Sequence, residues 1–202
     1  MSIFNLKEQF AFYGAYHHDH RNVVVHVIFV PAIMWSAFVI AALYGPFALP
    51  EDWQNSVWFQ RLGELGLQVN LTLLASLVYT AYYMVLDFTA ALLYLPFLGF
   101  ACSTATVLAE RSPHALGIAI GVQVTSWLAQ FYSHAVYEKR APALLDNVAQ
   151  ALLMAPFFVF LEVIFRCGYR PKLYTELNEA VRAKIRQFPS SSSAADVKAH
   201  SQ

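Results

Sequence analysis

The chain has 202 residues, enough for one domain, and is 58% hydrophobic with only 13% charged residues, well below the charged share of about 25% usual in a soluble domain. Its formal net charge is zero, so no basic field argues for nucleic acid as a partner. Two cysteines, Cys102 and Cys167, lie in or beside apolar segments and suggest neither a disulfide framework nor a CxxC metal knuckle.

In chain order, Met1 to Gln9 is polar and has no apolar core with a small-residue cleavage site, so no removable signal peptide is expected. Residues 3–16 read as a short amphipathic helix lying in a membrane interface, with Ile3, Phe4, Phe10, Phe12, Tyr13 and Tyr16 as its apolar members. Four of the seven histidines then fall within ten residues: His17, His18, His20 and His26. Neutral imidazole offers a nitrogen lone pair to iron, zinc or copper, so the cluster is a metal-site candidate. The bland alternative is that each His bridges headgroup and lipid. Asp19 or Asn22 is the expected N-cap of the helix that follows, Asn22 above all.

The first apolar span is expected over Val23 to Tyr44, long enough to cross a hydrocarbon core of about 30 Å. Pro31 lies inside it, and Gly45-Pro46 and Pro50-Glu51-Asp52 end it. Residues 45–66 read as a connecting loop whose Trp53 and Trp58 suit an interfacial belt. A second run, Leu67 to Leu86, and a third, Ala90 to Ala109, are separated only by Asp87-Phe88-Thr89. A fourth, Ala115 to Val136, precedes the polar stretch Glu138-Lys139-Arg140-Ala141-Pro142. A fifth, Val148 to Phe165, contains Pro156 and Glu162. The pattern predicts an all-α polytopic membrane helical bundle of four spans plus a fifth broken or re-entrant helix. Residues 1–188 form its single integral-membrane domain, and 189–202 a disordered tail.

Counting crossings puts His17, His18, His20, His26, Asp87, His134 and Glu138 at one membrane face, with His114 and the 45–66 loop at the other. Lys7, Arg21, Lys139 and Arg140 lie on the histidine face, which the positive-inside bias makes cytosolic. A transporter would instead hold its ligands near the bilayer midplane. A non-enzymatic metal transporter or a lipid-binding scaffold stands as the rival reading.

Each candidate has a structural alternative. His134 and Glu138 are four apart and share a helix face, which suits one metal ion, or Glu138 pairs with Arg140 or a headgroup amine. Asp87 is a carboxylate ligand, or it caps the reversal between helices. Glu162 is costly in lipid, so it faces the histidine cluster as ligand or orienting acceptor, or it pairs with Arg166. Lys139 or Arg140 attracts a substrate carboxylate at the membrane face, or serves topology alone. His114 and His200 read as loop and tail residues. A histidine-rich face with carboxylates suits a non-haem iron oxygenase, and GxGxxG, P-loop and GxSxG motifs are absent from the sequence.

Tyr16-His17-His18, Asn22-Val23, His26 and Val30-Pro31 resemble the opening motif of the endoplasmic-reticulum 2-hydroxy fatty acid dioxygenase family of fungi, which has bacterial and plant relatives. Gln130-Phe131-Tyr132-Ser133-His134-Ala135-Val136-Tyr137-Glu138-Lys139-Arg140-Ala141-Pro142, continuing through Asp146-Asn147 and Ala155-Pro156-Phe157-Phe158 to Glu162, resembles its second motif. The likeness covers about residues 5 to 175. Ser133 stands where the family usually has Gly before the His, and His20 where relatives often have Pro. The resemblance implies an Fe(II)-dependent enzyme of the endoplasmic reticulum membrane. It would oxidise a 2-hydroxy fatty acid with dioxygen to a fatty acid one carbon shorter, a step of phytosphingosine breakdown in fungi. It places the family's histidines on His17, His26 and His134, with His18 matching the fungal form. Asn22, Lys139 and Arg140 are the expected substrate-binding residues. The lipid bilayer is the expected surrounding, and no obligate protein partner is implied.

Overall fold

The computed structural model describes residues 2–139 and 148–186, and its regular structure is helical. Asn5 caps the first helix, α1 (Leu6–Tyr16), by accepting from the Glu8 N–H at 3.1 Å. Its apolar face goes into the protein: Phe10 is 1% exposed and meets Phe158 and Phe165 edge-on at 5.7 and 5.9 Å. Of the expected apolar members, Phe10 and Tyr13 turn into the protein, whereas Ile3 and Phe4 stay exposed. Two aromatic rings on one side of a short helix gain more from a protein pocket than from the headgroup layer.

The second helix, α2 (His20–Ala42), is capped by Asp19, which accepts from the Arg21 N–H at 2.9 Å. Asp19 is thus the cap, and Asn22 sits in the helix, fully buried. The Arg21 guanidinium and backbone N–H beside Asp19 hold its carboxyl down to about 2. Pro31 is accommodated within α2. Residues expected as a plain loop form two short helices, α3 (Glu51–Gln54) and α4 (Val57–Glu64), with Trp53 and Trp58 exposed. Asn70 then caps α5 (Leu71–Leu86), and Asp87 alone separates it from α6 (Phe88–Arg111). The reversal is this short because Asp87 both ends α5 and caps α6.

The next helix, α7 (Ala115–Ser133), runs into a π-helical turn over His134–Glu138, closed by Lys139 in the left-handed region at φ 53°. Beyond residues 140–147 come α8 (Val148–Arg166) and α9 (Pro171–Ile185). Pro156 lies within a continuous α8, so the break expected there is absent. The helix α9 went unread in the sequence. Pro171 starts it, and its Leu173, Leu177 and Val181 recur every four residues on one face. That face closes on α1 so tightly that a Cβ on Gly14 would lie 2.5 Å from a Val181 methyl.

Among the described residues, three helices are long and apolar enough to cross a membrane: His20–Ala42, Phe88–Arg111 and Ala115–Glu138. The second expected span is shorter, 16 residues in α5. Leu74, Leu77, Phe97, Phe100, Val124 and Leu128 stand exposed on α5, α6 and α7, an apolar surface larger than a water-facing monomer tolerates. The core beneath is aromatic. Tyr83, 0% exposed, stacks on Phe157 at 4.4 Å and 10°, and its hydroxyl donates to the Leu153 carbonyl at 2.9 Å.

Candidate metal centre

His17 ends α1, His26 lies about two turns inside α2 and His134 opens the π turn after α7. They are 8%, 4% and 2% exposed. One ring nitrogen from each lies within 4.8 Å of the other two. The pairing of α2 with α7 thus brings together residues from widely separated parts of the chain.

Two of the rings have a defined tautomer. His17 Nδ1 lies 2.8 Å from the Tyr13 carbonyl and His26 Nδ1 2.9 Å from the Asn22 carbonyl. A carbonyl only accepts, so both Nδ1 atoms carry the hydrogen. A neutral imidazole has one N–H, so both Nε2 atoms present lone pairs, and these face each other at 3.0 Å. Protonation of His17 is opposed by its burial first and then by His26 and His134, which push its pKa well below the usual value. Two lone pairs at this distance repel unless a cation lies on them. The third ring adds a buried Nδ1 without a partner. Three neutral imidazoles with donor atoms turned inward are a ligand set suited to a first-row transition metal.

The imidazoles are held by an adjoining polar network. The π turn brings Glu138 to the start of α2, where Oε1 accepts from the Asp19 N–H at 3.0 Å and from Asn22 Nδ2 at 2.9 Å. Ser133 Oγ donates to Asn22 Oδ1 at 2.7 Å. Asn22 is therefore spent on both sides of its amide, while its carbonyl orients His26. This fits a role in positioning the histidine. π turns inserted in α-helices recur at functional sites.

The other expected site residues fall elsewhere. Glu138 does not join the three-nitrogen group: the π turn closes i→i+5 hydrogen bonds and points its carboxylate at α2. Its Oε2 lies 2.6 Å from His18 Nδ1, and the His18 side chain is half exposed. Asp87 is committed to the Ala90 N–H at 3.0 Å and to Arg170 at 2.8 Å. Among the described residues no hydrogen bond joins Glu162 to the three histidines, and the Nδ1–H groups of His17 and His26 are taken by backbone carbonyls. The alternative partner, Arg166, acts on the Glu162 carboxyl through its charge, without a close contact. Arg166 is turned to His20, with its Nη1 3.1 Å from His20 Nδ1, and no salt bridge joins it to Glu162 among the described residues. Lys139 is exposed, and Arg140 and the tail at 189–202 lie outside the described residues.

The histidines sit at the wall of a cavity of about 210 Å³. Most of the remaining wall is apolar, including Val30, Met34, Phe38, Trp127 and Phe158. Two of its residues escaped the sequence reading as site members. Tyr13 lies four before His17 and Gln130 four before His134, so each shares a helical face with its histidine. That spacing is the signal that was there to be found.

Residues 3–167 match the family described as 2-hydroxy-palmitic acid dioxygenase Mpo1-like. The chain belongs to that family. It is also similar to the 2-hydroxy-palmitic acid dioxygenase MPO1 of Saccharomyces cerevisiae, 30% identical over 192 residues, which is 92% of this chain and 95% of the yeast protein. No solved structure matches it. The family match takes in all three clustered histidines, both halves of the Glu138–Asn22 contact and all of α8.

Proposed function

We propose that the chain is an Fe(II)-dependent dioxygenase that converts a 2-hydroxy fatty acid to a fatty acid one carbon shorter, at the cytosolic face of the endoplasmic reticulum membrane. The observation that carries this reading is the pair of facing Nε2 lone pairs at 3.0 Å, with His134 beside them, on the wall of an apolar cavity. The activity for which the yeast relative is named supplies the substrate class. With dioxygen as sole oxidant, atom balance gives the shorter acid, one carbon dioxide and one water.

His17, His26 and His134 would hold the iron, which when bound by three protein ligands supplies open positions for dioxygen and substrate oxygens. The chain's own residues do the rest. Tyr13 and Asn22 carbonyls fix the tautomers that turn Nε2 inward. The apolar wall takes the alkyl chain and limits water at the reacting carbons. Burial keeps His17 neutral and able to bind metal through the physiological range.

The test is product analysis with 2-hydroxyhexadecanoic acid carrying an isotope label at C1, under air and under argon. Pentadecanoic acid and labelled carbon dioxide should form only in air, and only with iron-loaded protein. Equal product under argon, or none in air with iron bound, would contradict the reading. The histidines' place at one end of their helices does not favour a transporter, whose sites lie near the midplane.

A further inference from the structure

Two buried donors on the cavity wall have no protein partner: the Tyr13 hydroxyl and Gln130 Nε2. Tyr13 is 7% exposed and Gln130 4%. Buried polar groups are nearly always paired, so two exceptions in one cavity need an explanation. Apart from the histidine nitrogens, other polar groups on the wall are already used. The Tyr79 hydroxyl donates to the Leu152 carbonyl at 3.2 Å, and the Trp127 indole N–H to Gln123 Oε1 at 2.9 Å.

Both unpaired donors are fastened to the histidine centre. The Tyr13 ring stacks on His17 at 4.1 Å and 14°, and its carbonyl receives His17 Nδ1–H. Gln130 precedes His134 by one turn, and its carbonyl accepts from Ser133 Oγ at 2.9 Å. A group held by these donors is therefore held in register with the imidazoles.

We infer that Tyr13 and Gln130 form the seat of an alkyl acid's carboxylate, beside the three histidines and with the alkyl chain along the apolar wall. The inference rests on the proposed function and names the residues that would position its substrate. An ionised carboxylate only accepts hydrogen bonds. That complements one phenolic O–H and one amide NH₂, whereas a fatty alcohol offers a single neutral oxygen. Hydrogen bonds to a charged acceptor are about twice as strong as neutral ones, so the two donors should discriminate acid from alcohol.

The test uses the iron-loaded full-length chain in lipid nanodiscs under argon, where nothing turns over. Binding of hexadecanoic acid and of hexadecanol is measured for wild type, Tyr13→Phe and Gln130→Met, with iron content measured alongside. Tyr13→Phe keeps the stacked ring and removes only the hydroxyl. Gln130→Met keeps the side-chain length and removes the donor. Each variant should bind the acid about tenfold or more weakly, change little toward the alcohol and keep its iron. Unchanged acid affinity in both variants would overturn the seat. So would equal losses for acid and alcohol, which would make the two residues packing groups. Loss of iron from both would assign them to the histidine scaffold and overturn it too. Wild-type turnover in air is read separately. Acid binding as expected without oxygen-dependent product would remove the dioxygenase reading and leave the carboxylate seat.

Discussion

Two buried polar centres in this chain have opposite states of satisfaction. At Asp87, 8% exposed, the carboxylate accepts from the Ala90 N–H, the Tyr169 hydroxyl and Arg170 at 3.0, 3.3 and 2.8 Å. Nothing there asks for a ligand. At the histidine centre two lone pairs face each other and the Nδ1 of the third ring has no partner. Residue type alone does not separate these centres, since carboxylate and imidazole both bind metals. What separates them is whether the protein has already used each donor and acceptor.

Removing a member from each centre should therefore have different consequences. His26→Ala or His134→Ala should lower iron affinity a hundredfold or more and abolish turnover, because each ring supplies one of only three donors. Metal titration of the purified variants checks this, and iron affinity near that of wild type in either would break the comparison. Glu138→Leu should come next. It leaves the Asp19 N–H and Asn22 Nδ2 without their acceptor, costing ~1–3 kcal/mol of stability. Iron affinity should fall about tenfold, the lower end for residues that orient a ligand histidine. Asp87→Ala should cost ~1–2 kcal/mol, through the lost cap of α6 and a half-exposed ion pair. It should leave iron affinity unchanged, which denaturant titration and metal titration together would establish.

The smallest effect is on pH dependence. His17 is held neutral in the folded chain, whereas in the unfolded chain it protonates near its ordinary value of about 6.5. Below that pH the unfolded state binds the extra proton, so stability falls as pH drops, by at most about 1.4 kcal/mol per pH unit. Above it this residue contributes no slope. Thermal unfolding of metal-free protein at pH 5.5, 6.5 and 7.5 should show a small loss at the middle value and a larger one at the lowest. In His17→Ala that loss should shrink.

Helical period and apolar run length made the long helices legible, and counting crossings was enough to bring His17, His26 and His134 to one end. The boundaries moved where a polar residue chose between roles. Of the two expected caps, Asp19 took the role, because Asn22 has partners in Ser133 and Glu138, more than a hundred residues away. No local pattern carries that information. The helix α9 was obscured by its charge: five of its fifteen residues are Lys, Arg or Glu, and its apolar stripe is narrow. A shared face for His134 and Glu138 presumes α-helical spacing, and a π turn intervenes. Tyr13 and Gln130 look ordinary in sequence. Their unpaired donors exist only once the cavity around them has formed.

Iron stoichiometry tests the central claim most directly. Wild-type protein loaded with Fe(II) anaerobically, freed of excess metal and measured by elemental analysis should hold one iron per chain. A triple variant replacing His17, His26 and His134 with Ala should hold none. Wild-type protein without iron after loading, or a triple variant that keeps a full equivalent, would contradict the assignment of the metal to these three histidines.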